Sequence, residues 1–181
     1  KYLRLAAAQD DAPSAYLLGK ITMLGWRGVS ANPVEGLRLV KQAVAGGDLD
    51  SAAFLGKLQL LGEYGVAQDV AAGVQQISGA AAKGGREAMY LLGLMKLQGA
   101  NGVTADDAEG LRLVKASAEA GDTDGMAVFA AILYEGTLQP KDLPGAVRYA
   151  RLAAEREDGS AQVMLGKLYY HGEGVAKDTR E

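Results

Sequence analysis

The pair Leu-Gly returns along this chain at a fixed interval, as Leu18-Gly19, Leu55-Gly56, Leu92-Gly93 and Leu165-Gly166, with Phe129-Ala130 in the fourth place. The steps between these anchors are 37, 37, 37 and 36 residues. A period of that length marks a stacked repeat, in which one supersecondary unit recurs and buries its apolar faces against its neighbours. Other columns keep the same step. Six residues beyond each anchor stands Gly25, Gly62, Gly99, Gly136 or Gly172. Four copies continue with Gly-Val, at Gly28-Val29, Gly65-Val66, Gly102-Val103 and Gly174-Val175. Asn32, Asp69, Asp106, Asp142 or Asp178 closes each turn. The string GLRLVK occurs twice, from Gly36 to Lys41 and from Gly110 to Lys115, two periods apart.

Each period reads as two helices. The first, helix A, is expected over about Pro13 to Leu24 in the first copy. Its columns beside the anchor are apolar in successive copies (Leu17, Leu18 and Ile21; Phe54, Leu55 and Leu58; Leu91, Leu92 and Met95), which places them on one side at helical periodicity. The glycine after helix A suits the positive φ of a tight helix end. The Asn or Asp that follows suits the N-cap of helix B, and Pro33 directly after Asn32 fits its first position. Helix B is expected over Pro33 to Val44, Val70 to Lys83, Asp107 to Ala120 and Leu143 to Glu155. The anchor itself (Gly19, Gly56, Gly93, Ala130 and Gly166) lies inside helix A, where Gly costs about 1 kcal/mol relative to Ala. Close approach of helices A and B accounts for it.

Composition narrows the function. The formal net charge is −3, with no basic excess to neutralise phosphates, so nucleic acid is not an expected partner. No cysteine is present, which removes thiolate catalysis, disulfides and Cys-based zinc sites. No apolar run reaches the roughly 20 residues of a membrane-spanning helix. The 25 glycines would suggest low complexity, but their strict spacing assigns them to turns and anchors.

The unit A-x-x-x-L-G-x-x-Y-x-x-G-x-G-V-x-x-D, seen from Ala161 to Asp178, resembles the Sel-one-like repeat (SLR) family, relatives of tetratricopeptide repeats. The resemblance covers essentially the whole chain. It implies an all-α, right-handed α/α superhelical solenoid of stacked antiparallel helix pairs. The expected division is one solenoid domain over 1–181, with a partial repeat at 1–12, repeats at 13–49, 50–86, 87–123 and 124–159, and a partial repeat at 160–181. Both ends cut through a repeat, as in a piece of a longer solenoid, and pairing or fraying there is expected. Three departures stand out. The first three copies carry one extra residue between the turn glycine and Gly-Val; the fourth has Thr137-Leu138-Gln139-Pro140 instead; and its anchor is Ala130.

Candidate chemistry is sparse. His171 is the sole histidine, near the end of the fifth helix A beside Tyr169 and Tyr170, and reads as a surface or packing residue, because a general base needs a positioned partner. The Gly-x-Gly turns join helix to helix, with no Gly-Lys-Ser/Thr following, so they are turns and not phosphate loops. Asp106-Asp107 is spaced for capping, not for a calcium loop. No cofactor, metal or catalytic residue is expected. Variable columns are where specificity belongs, since the repeat itself needs only the constant ones. The column after the anchor reads Lys20, Lys57, Leu94, Ala131, Lys167; the column three before it reads Tyr16, Ala53, Tyr90, Ala127, Val163. They lie about 40° apart on a helical wheel and are expected to form a stripe on the concave surface, opposite the apolar columns. Tyr16, Lys20, Lys57, Tyr90 and Lys167 are therefore the candidate partner contacts, with Trp26, Arg27 and Tyr64 in the inter-helix turns beside them.

The reading is a non-enzymatic protein–protein interaction scaffold that binds another protein or a peptide. By resemblance it would serve a bacterial cell-envelope, secretion or signalling complex, with the periplasm favoured and the cytoplasm compatible. The alternative is a periplasmic exopolysaccharide-export or peptidoglycan-binding factor, which a linear stripe of exposed Tyr and Trp would favour. A hydrolase would need a His, Asp or Glu cluster around a deep pocket.

Overall fold

A computed structural model describes residues 2–26 and 28–177; Arg27 and Asp178 lie outside the described residues. Ten helices follow one another with no strand among the described residues: α1 (Tyr2–Ala7), α2 (Ala12–Leu24), α3 (Pro33–Ala45), α4 (Leu49–Leu61), α5 (Val70–Ala82), α6 (Arg86–Gln98), α7 (Asp107–Glu119), α8 (Thr123–Glu135), α9 (Leu143–Ala154) and α10 (Gly159–His171). The all-α repeat architecture expected from the sequence is what forms. Even-numbered helices are the A helices and odd-numbered ones the B helices.

The turn chemistry explains where each helix stops and starts. Gly25, Gly62, Gly136 and Gly172 cap their A helices at φ of 71–73°, a left-handed conformation that costs glycine nothing and other residues about 1–2 kcal/mol. The extra residue of the second and third turns, Tyr64 (φ 52°) and Asn101 (φ 56°), takes the same left-handed conformation. Asn32, Asp69, Asp106 and Asp142 then accept from the N–H three residues on, at 2.9–3.1 Å, as the N-caps of α3, α5, α7 and α9. Their own N–H groups donate back to helix A, to the carbonyls of Thr22, Gln59, Lys96 and Leu133 at 2.7–2.9 Å. The A helices have caps of their own, Asp11, Asp48, Asp122 and Asp158, each accepting from the N–H three residues on.

The chain divides into two units, Lys1–Leu92 with Asn101–Val103, and Gly93–Ala100 with Thr104–Glu181. In the first, Met23, Val40, Phe54 and Leu58 are buried together, with Tyr16, Leu37, Leu55 and Val66 packed around them. A smaller alanine cluster, Ala7, Ala15 and Ala43, joins α1, α2 and α3. In the second, Val114, Phe129, Ala130, Leu133, Ala146 and Tyr149 belong to one core, with Phe129 and Tyr149 edge-on at 5.0 Å between ring centroids.

The anchors lie where helix A meets helix B. A Cβ on Gly56 would stand 2.7 Å from Ile77 Cγ1 and 2.9 Å from the Gly73 carbonyl oxygen. A Cβ on Gly73, across the same contact, would stand 2.8 Å from the Gly56 carbonyl oxygen. Gly93 meets Val114 and the Gly110 carbonyl in the same way, and Gly19 meets Val40 and the Gly36 carbonyl. A second small-residue column therefore runs along helix B as Gly36, Gly73, Gly110 and Ala146. In the fourth copy both columns change to alanine together, Ala130 and Ala146, and both are fully buried. Gly166 has no side-chain or backbone neighbour within 4 Å of a Cβ, since α10 is followed by no B helix among the described residues.

Candidate functional site

The column three before the anchor is partly a packing column. Tyr16, on α2, is half-buried: its ring lies 5.9 Å from that of Phe54 on α4, and its hydroxyl donates to Glu87 Oε2 on α6 at 3.2 Å. One side chain thus ties three successive A helices. Burial, with the Glu87 carboxylate beside it, pushes the Tyr16 hydroxyl well above the ordinary tyrosine value. Ala53, the next member of the column, is fully buried. Tyr90 is partly buried on α6. Lys20 sits over this cluster, its ammonium 5.2 Å from the Tyr16 ring centroid and 5.4 Å from that of Phe54. A cation over an aromatic face is held there by the ring quadrupole.

Lys57 and Lys167 differ from Lys20. Both are exposed, Lys57 on α4 of the first unit and Lys167 on α10 of the second. Trp26, in the α2–α3 turn, is 52% exposed, and Tyr64 in the following A-to-B turn is 38% exposed. The structure therefore brings Tyr16 and Lys20 together, with Phe54 and Glu87 as neighbours that the residue pattern did not single out. It leaves Lys57, Lys167, Trp26 and Tyr64 presented to solvent. The apolar column two before the anchor does not lie wholly on the far side of this stripe, contrary to the expectation. It borders the lysine column at 60° on the wheel, and Leu17 in it is 47% exposed while Phe54 is buried.

Ion pairs occur on both A and B helices. Arg86 at the start of α6 meets Asp50 at the start of α4 at 2.8 Å. On the B helices, Arg38 pairs with Glu35 at 2.7 Å and Arg112 with Glu109 at 2.6 Å, the same two positions in the first and third copies. These arginines hold their carboxyls below the usual carboxylate range. In the second unit, Tyr134 donates to Glu173 at 2.8 Å with Lys141 over its ring, and Arg151 donates to the Tyr169 hydroxyl at 2.6 Å. His171 is exposed at the end of α10, edge-on to Tyr170 at 5.0 Å. Among the described residues, no three His, Asp or Glu side chains gather as metal ligands. No helix of the described residues is long and apolar enough to cross a membrane.

Comparison with known proteins agrees with this repeat geometry. The Sel1 repeat matches at residues 12–48, 49–75, 86–122, 125–158 and 159–181. The crystal structure of a Sel1 repeat protein from Oxalobacter formigenes superposes with a TM-score of 0.73 at 26% identity, over 96% of this chain and 69% of that one. A protective antigen present in uropathogenic Escherichia coli strains, displaying an SLR fold, superposes with a TM-score of 0.66 at 28% identity. That match covers 96% of this chain, which spans 37% of the antigen's length. A search of curated proteins finds no match.

Proposed function

Since the chain belongs to the Sel1 repeat family, whose repeats are generally non-catalytic and mediate protein–protein interaction, we propose that it is a single solenoid scaffold that docks a partner protein through its A helices. The complex it serves is a bacterial cell-envelope, secretion or signalling assembly in this reading, with the periplasm as its place. One observation carries the choice of surface. On α2 and α4, the face that bears Lys20 and Lys57 also exposes Leu17, and Trp26 stands exposed in the turn that follows α2. Repeat stacking requires none of these side chains. Aromatic and apolar side chains at the centre with charges at the rim are what protein interfaces are made of.

Tyr16 and Lys20 belong to this surface as its fixed part, held by Phe54 and Glu87, with Lys57, Tyr90, Trp26 and Tyr64 as its remaining contacts in the first unit; Lys167, on α10, is the candidate contact of the second unit. The partner is first identified by capture with the full-length protein and mass spectrometry, then measured against variants. Lys57→Glu and Trp26→Ala are the informative changes, because both side chains are exposed and their loss leaves the core intact. Each should weaken the partner's binding by about tenfold, a loss of about 1.4 kcal/mol, with Tm unchanged. Lys20→Glu is a poorer probe, since removing the cation from two ring faces costs about 0.5–1 kcal/mol of stability by itself. Undiminished binding by the Lys57 and Trp26 variants together would move the interface off the A helices.

A further inference from the structure

We propose that the cleft formed by α3, α4 and α5 is a second binding site, which takes a short extended stretch of uncharged polypeptide through its main-chain amides. The cleft encloses about 520 Å³, within the range of about 300–1,000 Å³ of ligand sites. Gln59 of α4 and Gln75 and Gln76 of α5 line it.

These three positions set the second copy apart. Where Gln76 stands, the other copies carry Leu39, Leu113 and Tyr149, all buried core residues. Where Gln75 stands they carry Arg38, Arg112 and Arg148, and where Gln59 stands they carry Thr22, Lys96, Leu133 and Tyr169. Ala72 replaces the glutamate of the Glu35–Arg38 and Glu109–Arg112 pairs, so the second copy gives up that ion pair too. The result is an amide-rich wall at a place where the repeat otherwise uses leucine and arginine; the charged lining residues are Asp48, whose carboxylate accepts from the Ser51 N–H as the cap of α4, and the exposed Lys83.

A buried carboxamide atom costs stability unless its hydrogen bond is made; Gln75 is exposed and Gln76 partly buried, so this applies to Gln59. Gln59 Oε1 is buried with no hydrogen-bond partner among the described residues, and Gln75 and Gln76 make no side-chain hydrogen bond to another described residue. A carboxamide offers the same functions as a peptide group, one carbonyl acceptor and N–H donors. It can therefore pair with a main-chain N–H and C=O at once, and a buried acceptor without a donor is what such a ligand would satisfy. The walls between the glutamines are small, with Ala52, Gly79 and Ala80, which admits a peptide with small side chains. The repeat-related cleft of α1, α2 and α3 lacks this chemistry, because Arg38 and Glu35 line it and already pair with each other.

This site shares with the proposed scaffold role only the class of partner. Gln59 lies two residues beyond Lys57, about 200° around α4, so the two surfaces are separable. The probe is an N-acetylated, C-amidated Ala-Ser-Ala-Ser peptide, with an oligomer of N-acetylglucosamine as the competing amide source, titrated into the protein while the glutamine side-chain NH₂ signals are followed by ¹H–¹⁵N NMR. The peptide should shift the Gln59, Gln75 and Gln76 signals in the wild type and equally in Lys57→Glu. Gln76→Leu installs the side chain of the first and third copies; it should raise Tm by a few degrees and weaken the peptide at least about tenfold. Unmoved glutamine signals, a response to the sugar alone, or a Gln76→Leu variant that melts lower yet binds the peptide as before would each overturn the assignment.

Discussion

Replacing Gly56 by alanine and replacing Gly79 by alanine are the same chemical change inside neighbouring helices, and they should move stability in opposite directions. In both, one methyl group is added and the helix gains about 1 kcal/mol of intrinsic preference. At Gly79, in α5, a Cβ meets nothing within 4 Å, so the gain is kept. At Gly56 the new methyl would lie 2.7 Å from Ile77 Cγ1 and 2.9 Å from the Gly73 carbonyl oxygen. Carbon atoms rest about 3.5–4.0 Å apart, so the helices must part by something close to 1 Å or Ile77 must leave its rotamer. Ile77 is fully buried and the Gly73 carbonyl is main chain, so neither yields cheaply. Overpacking of this kind costs about 1–3 kcal/mol, which outweighs the propensity gain over most of that range. The net expectation is about +1 kcal/mol for Gly79→Ala and a loss of up to about 2 kcal/mol for Gly56→Ala. At about 2–4 °C per kcal/mol for a chain of this size, calorimetry should separate the two Tm values by roughly 2–12 °C. Equal shifts, or shifts of one sign, would refute the close-approach explanation of the anchor column.

Two further outcomes follow from single side-chain contacts. Gly125 faces the buried Ser117, with a Cβ there only 3.0 Å from Ser117 Cβ and still nearer its hydroxyl; Gly125→Ala should cost on the order of 1–3 kcal/mol, and adding Ser117→Ala, the residue of the other copies at that position, should recover most of it in a urea double-mutant cycle. Tyr16 titrates higher in the folded than in the unfolded chain, so the stability tied to its neutral hydroxyl is complete below about pH 10 and is lost as pH rises beyond it. Urea unfolding at about pH 8 and about pH 11 should show a smaller alkaline loss in Tyr16→Phe than in the wild type, and parallel losses would count against the Glu87 hydrogen bond.

The parts of this molecule that were legible in the sequence are those decided within one repeat. Turn glycines, the N-caps Asn32, Asp69, Asp106 and Asp142, and the anchors all act on neighbours a few residues away, so their spacing is their signal. The caps Asp11, Asp48, Asp122 and Asp158 carried the same signal, an acidic residue directly before four of the five A helices (Gly85 precedes α6), and could have been found the same way. The helix-B column Gly36, Gly73, Gly110 and Ala146 was visible too, with Gly36 and Gly110 opening the two copies of the GLRLVK string; its meaning emerges only beside the anchor column, because the two glycines share one contact. The candidate stripe was less legible. Helical periodicity fixes which way Tyr16 points, but burial depends on Phe54 and Glu87, which lie 38 and 71 residues further on. The same dependence made Lys20 a partner of two rings while Lys57, one repeat later, stands exposed.

The hydrogen bond from each helix-B cap back into helix A has a bearing on how the chain assembles. It joins residues 10 apart in the first three copies (Thr22 to Asn32, Gln59 to Asp69, Lys96 to Asp106) and 9 apart in the fourth (Leu133 to Asp142). The single residue missing from the fourth period is thus removed from the turn, while the ends it joins stay bonded. Closing a segment of that size takes about 10–100 ns and little entropy. Every hairpin can therefore knot its own corner before any neighbour is in place, so folding has several equivalent starting points along the chain, and a defect in one corner delays that hairpin and not the start of the rest.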